Sequence, residues 1–534
     1  MNTSLPIFLA VMILLQNSWC QADATNFHTQ TIKLALTQEP PQLNGMKATD
    51  QVSVMVLGHI MEGLTRYDRR GRLVPGVAER WEITDKRATF WLRPDARWSN
   101  GDTVTAHDFV FAWQTTLNPA TASEYAFILY AMKNAEAINQ GKLAPEQLGV
   151  QAPDDFTLTI ELERPTAYFS KLTAFVSYFP IQEKFYKSRL DRYAADADDL
   201  IFNGPFKMTD WVHSASMKLK KNPLYWNRDQ IKLNAIEADY ITADTRARLN
   251  LFIDDKIIFT RLDGETYQDA LTRKFRIRSF STGSVFFLEY NHRPGKVTSN
   301  LSLRQAISAV FNADEFVNKV LATPGNLRGE SLFPVWLSGT EDKFRIEYPA
   351  QKVAPDTALG RKLLTQAKLQ LGIAQIPPLV LLVGDSPTAA KQAEYLQGLL
   401  KNKLDLDIKI DIQTFKQRLA KMTSGDFDMV GAGWGPDFDD VMTFGDLFAS
   451  WNLNNRGRYN NVEYDRFVRT AMNSSIPKIR MDAMAELQRI IHEEAVILPL
   501  YEQGVIYLLN PKVRGVVRKV VGADPDFTFA RIVQ

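Results

Sequence analysis

The chain has 534 residues, 45% of them hydrophobic and 23% charged, which suits two to four folded domains and excludes a disordered or low-complexity protein. Its 63 basic and 61 acidic residues leave a net charge of +2, without the basic excess that is typical of nucleic-acid-binding proteins. The single cysteine, Cys20, excludes a disulfide scaffold and a cysteine-based zinc site.

The first 24 residues have the pattern of a signal peptide. Residues 5–15 form an apolar run that is too short to span a bilayer, for which a helix needs about 20 residues. The small residues Ala22 and Ala24 predict cleavage after Ala24. Lipid attachment at Cys20 is disfavoured because Trp19 precedes it. No later segment is long and apolar enough to span a membrane, so we expect an exported, periplasmic protein.

The periodicity of apolar residues predicts a mixture of strands and helices in the first part of the chain. The predicted strands there are 31–36, 88–93, 156–162 and 285–290. The predicted helices there are 52–64, 105–115, 303–311 and 314–321.

Strands and helices alternate more regularly in the second part, and this alternation between residues 379 and 433 predicts a parallel βαβ sheet. The predicted strands are 378–383, 407–413, 427–433, 497–501 and 504–508. The predicted helices are 389–404, 415–422, 464–473 and 479–493. No Gly-, Ser- or Pro-rich linker separates the parts, so we expect short crossings between lobes that hinge.

A search for catalytic motifs in the sequence finds few candidates. No two of the six histidines are spaced four positions apart, and neither a serine-nucleophile elbow nor a phosphate-binding loop is present. The segment 431–435 resembles a dinucleotide-binding turn, but Pro436 stands where the last glycine is required. Asp437, Asp439 and Asp440 leave two interpretations open: a glycosidase-like carboxylate pair or an ordinary aspartate-rich loop.

Three successive motifs carry a resemblance to a known family. The segments 75–81, 88–102 and 104–113 closely resemble the signature of the oligopeptide-binding proteins, bacterial extracellular solute-binding family 5. The resemblance extends over nearly all of the chain after residue 24. Shorter matching segments follow in the family's order: 62–65, 168–169, 203–206, 222–226, 303–307, 433–434 and 497–501.

The resemblance implies an α/β, two-lobed periplasmic solute-binding fold with a discontinuous larger lobe and a hinge. The chain should cross to the second lobe near residues 292–318 and return near 502–506. The implied larger lobe comprises 25–61, 62–185 (a family-specific insertion), 186–300 and 504–534, and the second lobe comprises 301–503.

The same resemblance implies the substrate-binding subunit of an ABC-type peptide importer. Its expected partners are a short peptide, which it holds in an extended conformation between the lobes, and a membrane permease. The expected protein is a monomer without catalytic activity, cofactor, metal or nucleic acid.

The implied ligand-binding residues follow from what all peptides share. Asp437 matches the carboxylate that receives the peptide α-ammonium, and the segment Gly433-Trp434-Gly435 is expected to pair with the ligand backbone. The loop with Thr49 and Asp50 is expected to pair from the other lobe. The further implied contacts are Trp434, Phe415 and Tyr125 as walls of side-chain pockets, and Asn291 and Gln503 at the lobe crossings.

Where family members carry groups for the ligand carboxylate, this chain has Gly431, Met422 and Ala389 or Ala390. Three residues remain as candidate replacements: Lys391, Arg328 and Arg293. Alternatives therefore stay open: the same fold binding a murein peptide, haem, a nickel chelate or an antimicrobial peptide; an enzyme using the three aspartates; and a signalling receptor or holdase without a transporter.

Overall fold

The computed structural model describes residues 23–166 and 168–534. The predicted signal peptide, apart from its last two residues, and Cys20 lie outside the described residues. Within the described residues, no helix combines the length and the apolar character needed to cross a membrane.

The first sheet has five strands, of which two lie within residues 25–36 and three within residues 206–241. Thr31–Leu36 pairs in parallel with Ala235–Ile241, whereas the other pairs are antiparallel. Alternate residues of Thr31–Leu36 are buried, as its predicted alternation requires. The strands lie in the order Thr25–Asn26, Thr31–Leu36, Ala235–Ile241, Ser216–Lys221 and Phe206–Val212.

The second sheet is antiparallel and contains the most specific of the matching motifs. The helix Ala106–Leu117 packs against this sheet and begins one residue after the predicted start at residue 105. The indole of Trp98 donates a hydrogen bond of 3.1 Å to Asp108 in the first turn of that helix, so the motif joins strand, turn and helix. The strands lie in the order Ala78–Ile83, Arg87–Leu92, Thr157–Glu161 and Val150–Asp154, with a separate hairpin of Thr65–Tyr67 and Leu73–Pro75.

Three other matching segments meet at Glu62, which is 5% exposed. Its carboxylate accepts hydrogen bonds from the Tyr225 hydroxyl and, at 2.6 Å, from the Trp226 indole. The Asn203 side chain both accepts from the Glu62 backbone N–H at 2.9 Å and donates to its carbonyl at 2.8 Å. Arg66 lies 3.6 Å from the same carboxylate. These motifs therefore hold the large lobe together and do not line a functional site.

We expect Glu62→Ala to lower the free energy of unfolding by about 3 kcal/mol, because two buried donors and a nearby guanidinium lose their acceptor. The measurement is the urea-unfolding midpoint by circular dichroism. Glu82→Ala is the control: Glu82 has a 75% exposed side chain and lies 3.8 Å from Arg80, so its loss should change little. Equal midpoints for the two variants would contradict the structural role of Glu62.

The third sheet has seven strands, which come from segments 259–290, 327–328, 379–434 and 497–509. Leu379–Gly384 runs parallel to both Ile408–Gln413 and Met429–Trp434, which confirms the predicted βαβ sheet. Buried leucines of the helix Pro387–Leu404 pack on it. The strand order is Phe259–Leu262, Ile497–Leu509, Arg278–Tyr290, Met429–Trp434, Leu379–Gly384 and Ile408–Gln413, with Leu327–Arg328 pairing beside Ile497–Leu509.

Two strands of 13 residues, Arg278–Tyr290 and Ile497–Leu509, run antiparallel through this sheet. Their pairing is interrupted between Ser281 and Val285, opposite Gly504 and Glu502. The two strands predicted at 497–501 and 504–508 are thus one strand. The interruption lies before the first crossing predicted near 292–318 and within the second crossing predicted near 502–506.

Each of the eight predicted helices has a helical counterpart, although the one predicted at 52–64 ends at Ile60 and residues 316–321 form a π-helix where an α-helix was expected. Three longer helices were not predicted: Thr245–Ile253, Gly264–Thr272 and Thr357–Leu371. The α-helices are Gln51–Ile60, Ala106–Leu117, Ala135–Asn139, Phe169–Leu172, Glu183–Arg189, Thr245–Ile253, Gly264–Thr272, Leu301–Val310, Ala313–Glu315, Phe344–Glu347, Thr357–Leu371, Pro387–Leu404, Phe415–Ser424, Met442–Gly445, Val462–Met472 and Pro477–Glu493.

Candidate binding cavity

A cavity of about 330 Å³ lies between the two lobes. Segments 49–54 and 519–524 contribute to its wall from the large lobe, and segments 286–289 and 431–437 contribute from the seven-stranded sheet and the loop after it. Eight of the ten residues predicted to bind a ligand line this cavity: Thr49, Asp50, Tyr125, Phe415, Gly433, Trp434, Gly435 and Asp437.

Asp437 is a carboxylate without a cation. Its two oxygens accept hydrogen bonds of 3.1 Å from the Tyr125 hydroxyl, and it has no ion pair within the described residues. It faces the cavity, and the surrounding protein desolvates it, which raises the pKa of Asp437 well above its usual range. The nearby Asp446 carboxyl raises it further. A positively charged ligand group would compensate this buried charge.

Asp437 follows the end of the strand Met429–Trp434, and hydrogen bonds to Thr443 hold both Trp434 and Asp437 in position. The Trp434 indole donates a hydrogen bond of 2.7 Å to the carbonyl of Thr443, and the Thr443 hydroxyl accepts one of 2.8 Å from the Asp437 backbone N–H. The Trp434 and Tyr125 rings are stacked with centroids 6.3 Å apart. The two aromatic walls and the carboxylate are therefore in direct contact in this conformation.

The strand Met429–Trp434 has an open edge in the cavity. One side pairs along its whole length with Val285–Tyr290, whereas the other pairs with Leu379–Gly384 only at Met429 and Val430. The segment 431–434, which lines the cavity, thus presents backbone groups to which an extended ligand can add as a strand. A Cβ on Gly433 would lie 2.7 Å from the Phe286 ring, so this position requires glycine.

The loop from the other lobe is held by a helix cap. The Asp50 carboxylate accepts hydrogen bonds from the backbone N–H groups of Val52 and Ser53 and from the Ser53 hydroxyl, at 3.0, 2.9 and 2.6 Å. Its side chain therefore caps the helix Gln51–Ile60, while Thr49 and Gln51 on either side of it also line the cavity.

Two predicted residues do not reach the cavity. Asn291 is fully buried, and its amide donates to the carbonyls of Gly425 and Phe427 at 3.0 and 2.8 Å, so its role is to hold the backbone. Gln503 does not line the cavity, and its oxygens accept hydrogen bonds from the Thr282 hydroxyl. The expectation that both contact the ligand is corrected accordingly.

The three residues expected to replace the missing cations also lie outside the cavity lining. Arg328 pairs with Asp314 at 2.7 Å, and Arg293 donates to the carbonyl of Arg456, while neither residue nor Lys391 lines the cavity. Gly431 and Met422 do line it. The sequence analysis missed the cations that the cavity contains: Arg261, Arg418, Arg456 and Lys519.

The three clustered aspartates point to different partners. Asp439 pairs with Lys171 at 3.2 Å, and Asp440 pairs with Arg480, so neither joins Asp437 as a carboxylate pair. An aspartate-rich loop is the interpretation that this geometry favours.

Contacts between the lobes surround the cavity. The Tyr168 and Phe438 rings stack 5.3 Å apart with an angle of 6° between their planes, and Glu124 pairs with Arg456. Together with Tyr125 and Asp437, these pairs join segment 124–168 to segment 437–456. The fold and the enclosed cavity define a two-lobed binding protein in a closed conformation.

The chain belongs to the bacterial extracellular solute-binding proteins, family 5, whose family model matches residues 72–456. The dipeptide-binding protein DppE of Bacillus subtilis is 30% identical over 488 residues, which are 91% of this chain and 89% of DppE. The structure of Listeria monocytogenes OppA bound to peptide is similar with a TM-score of 0.89 and 30% identity, over 95% of this chain and 99% of that chain.

Two structures of a murein tripeptide binding protein, MppA, are also similar to this chain. The Escherichia coli MppA structure gives a TM-score of 0.84 at 27% identity, over 94% of this chain and 98% of that chain. An unliganded open form of MppA gives a TM-score of 0.64 at 26% identity, over 96% of this chain and 99% of that chain.

Proposed function

We propose that this protein is the periplasmic substrate-binding subunit of an ABC-type peptide importer. It captures short peptides with a free amino terminus in an extended conformation between its lobes and delivers them, chemically unchanged, to a membrane permease. It is exported by residues 1–24 as a signal peptide, without lipid attachment at Cys20, and acts as a monomer.

The observation that carries this proposal is the unpaired Asp437 carboxylate beside an open strand edge. A buried carboxylate needs a cation, and the α-ammonium is the one cation that nearly every peptide has. The free edge at 431–434 satisfies the backbone N–H and C=O groups that follow, whatever the side chains are. Gly433 lies on that edge, Trp434 and Tyr125 enclose the first residue, and Thr49 and Phe415 complete the walls.

The relatives support the same substrate class. DppE is named a dipeptide-binding protein, and the Listeria OppA structure holds a peptide. A murein peptide is the second candidate, because MppA of Escherichia coli, a murein tripeptide binding protein, shares the fold.

Native mass spectrometry of the protein purified from the periplasm tests the proposal. We expect a series of masses above that of the empty protein, which denaturation releases as short peptides with free amino termini. Sequencing of the released peptides would recognise a murein peptide by its composition. An empty protein that also fails to bind a library of synthetic peptides, or a single non-peptide mass, would contradict peptide transport.

A further inference from the structure

Among the described residues, three of the four cations that line the cavity already have an anionic partner. Within the described residues, Arg261 lies 3.6 Å from Asp524, and Arg456 and Lys519 pair with Glu124 and Asp526. These cations therefore already have an anion, and binding a ligand carboxylate there would require competition with it.

Four charged residues of the lining have no ion pair within 4.0 Å among the described residues. Two of them are satisfied in other ways: the Asp50 carboxylate caps a helix, and the Glu289 carboxylate accepts the Gly457 backbone N–H. Burial raises the pKa of Glu289 to about 7, which favours its neutral form. Arg418 and Asp437 remain: Arg418 is positively charged, whereas the raised pKa of Asp437 favours its neutral form until a ligand cation compensates the carboxylate.

Arg418 lies on the cavity-facing side of the helix Phe415–Ser424, between Phe415 and Met422. One guanidinium nitrogen donates 2.8 Å to the carbonyl of Gly431, which anchors the side chain to the start of the open edge. Its Nε is buried without a hydrogen-bond partner in the described part of the chain. A fixed guanidinium with an unused donor is suited to a carboxylate.

Asp437 and Arg418 mark opposite ends of the open edge. An extended ligand with its ammonium at Asp437 starts beside Trp434 and runs antiparallel to Met429–Trp434, so its last residue comes near Gly431. Three steps separate Gly431 from Trp434, or about 10 Å at roughly 3.4 Å per residue. An extended peptide of about three residues has this length.

We propose that Arg418 binds the C-terminal carboxylate of the ligand and thereby selects short zwitterionic peptides of about three residues. This assignment rests on the proposed function, since it takes the ammonium end from Asp437. It also explains how the ligand carboxylate is bound although Gly431 and Met422 carry no charge. The guanidinium of Arg418, one helical turn before Met422, lies at the end of the open edge where that carboxylate is expected.

Isothermal titration of the exported protein with trialanine, its C-terminal amide and its N-acetyl derivative tests the proposal. We expect the amide to bind about 100-fold more weakly than the free acid, because Arg418 would then lack its anion. Arg418→Gln should weaken trialanine binding by a similar factor and leave amide binding nearly unchanged. Arg418→Lys, which keeps the charge but not the fork of donors, should restore part of the loss.

Lys416→Gln is the matched control, because Lys416 is an exposed cation on the same helix and does not line this cavity. It should bind trialanine like the unchanged protein. Equal binding of acid and amide, or charge dependence only in peptides with an acidic side chain, would overturn the assignment to Arg418. If acetylation of the amino terminus weakens peptide binding and amidation of the carboxyl terminus does not, only the assignment to Arg418 is wrong. If neither modification weakens binding, the proposed function is wrong as well.

Discussion

Asp437→Asn is expected to raise the dissociation constant of a tripeptide with a free amino terminus by two to three orders of magnitude. The amide keeps the size and the Tyr125 hydrogen bond but leaves the ammonium buried without a counter-ion, a loss of about 3–5 kcal/mol. Isothermal titration measures it. The N-acetylated tripeptide should bind the variant and the unchanged protein equally weakly, since it has no charge for Asp437 to compensate.

Asp439→Asn provides the control, because Asp439 is a neighbouring carboxylate that is exposed and paired with Lys171. It should change peptide affinity by less than about tenfold, as expected for a surface ion pair. In the ligand-free protein, Asp437→Asn should not lower the unfolding temperature, because the amide replaces a carboxyl whose raised pKa already favours its neutral form. An unchanged peptide affinity in a folded Asp437→Asn variant would refute the ammonium site.

Peptide affinity should fall steeply as the pH decreases through the raised pKa of Asp437 in the ligand-free protein. Burial makes the free carboxyl hold its proton, whereas the bound ammonium requires the carboxylate, so binding releases a proton. Below that pKa, the affinity should drop by up to about tenfold per pH unit. Titrations in buffers of different ionisation enthalpy measure the released proton directly.

The stability of the ligand-free protein should show the opposite trend from the same group. Asp437 has a higher pKa in the folded than in the unfolded protein, so its contribution becomes less favourable as the pH rises from about 4 through the raised pKa. Asp437→Asn removes this contribution and the proton release, while Asp446, whose pKa burial raises to about 7, still titrates. Proton release that persists in Asp437→Asn would assign the effect to Asp446 or Glu289.

Local patterns predicted the regular structure after residue 379 better than that before it. The alternation between 379 and 433 needs only the apolar period of each segment, and the structure confirms its parallel strands. The prediction omitted the helix Thr357–Leu371 and the strands Phe206–Val212 and Ser216–Lys221, although buried and more exposed residues largely alternate in both strands. It also divided Ile497–Leu509 at Glu502 and Gln503, which a buried environment keeps in one strand.

The resemblance predicted the cavity better than the residue types did. Asp437, Trp434 and Tyr125 lie together as expected, although 312 positions separate Tyr125 from Asp437. Asn291 had the same polar character as a ligand contact, but its amide bonds to backbone carbonyls that only the fold brings near it. A polar side chain at a strand end does not reveal which partner it will have.

The sequence alone determined the family, the strand–helix order and the carboxylate at Asp437, because these depend on short motifs and on local apolar periods. Only the tertiary structure decided which charges stay unpaired. An arginine on a helix is usually solvated, and nothing near Arg418 in the sequence distinguishes it. It became a candidate because the edge of Met429–Trp434 stays open beside it, while the cavity's other cations acquire anionic partners in the fold.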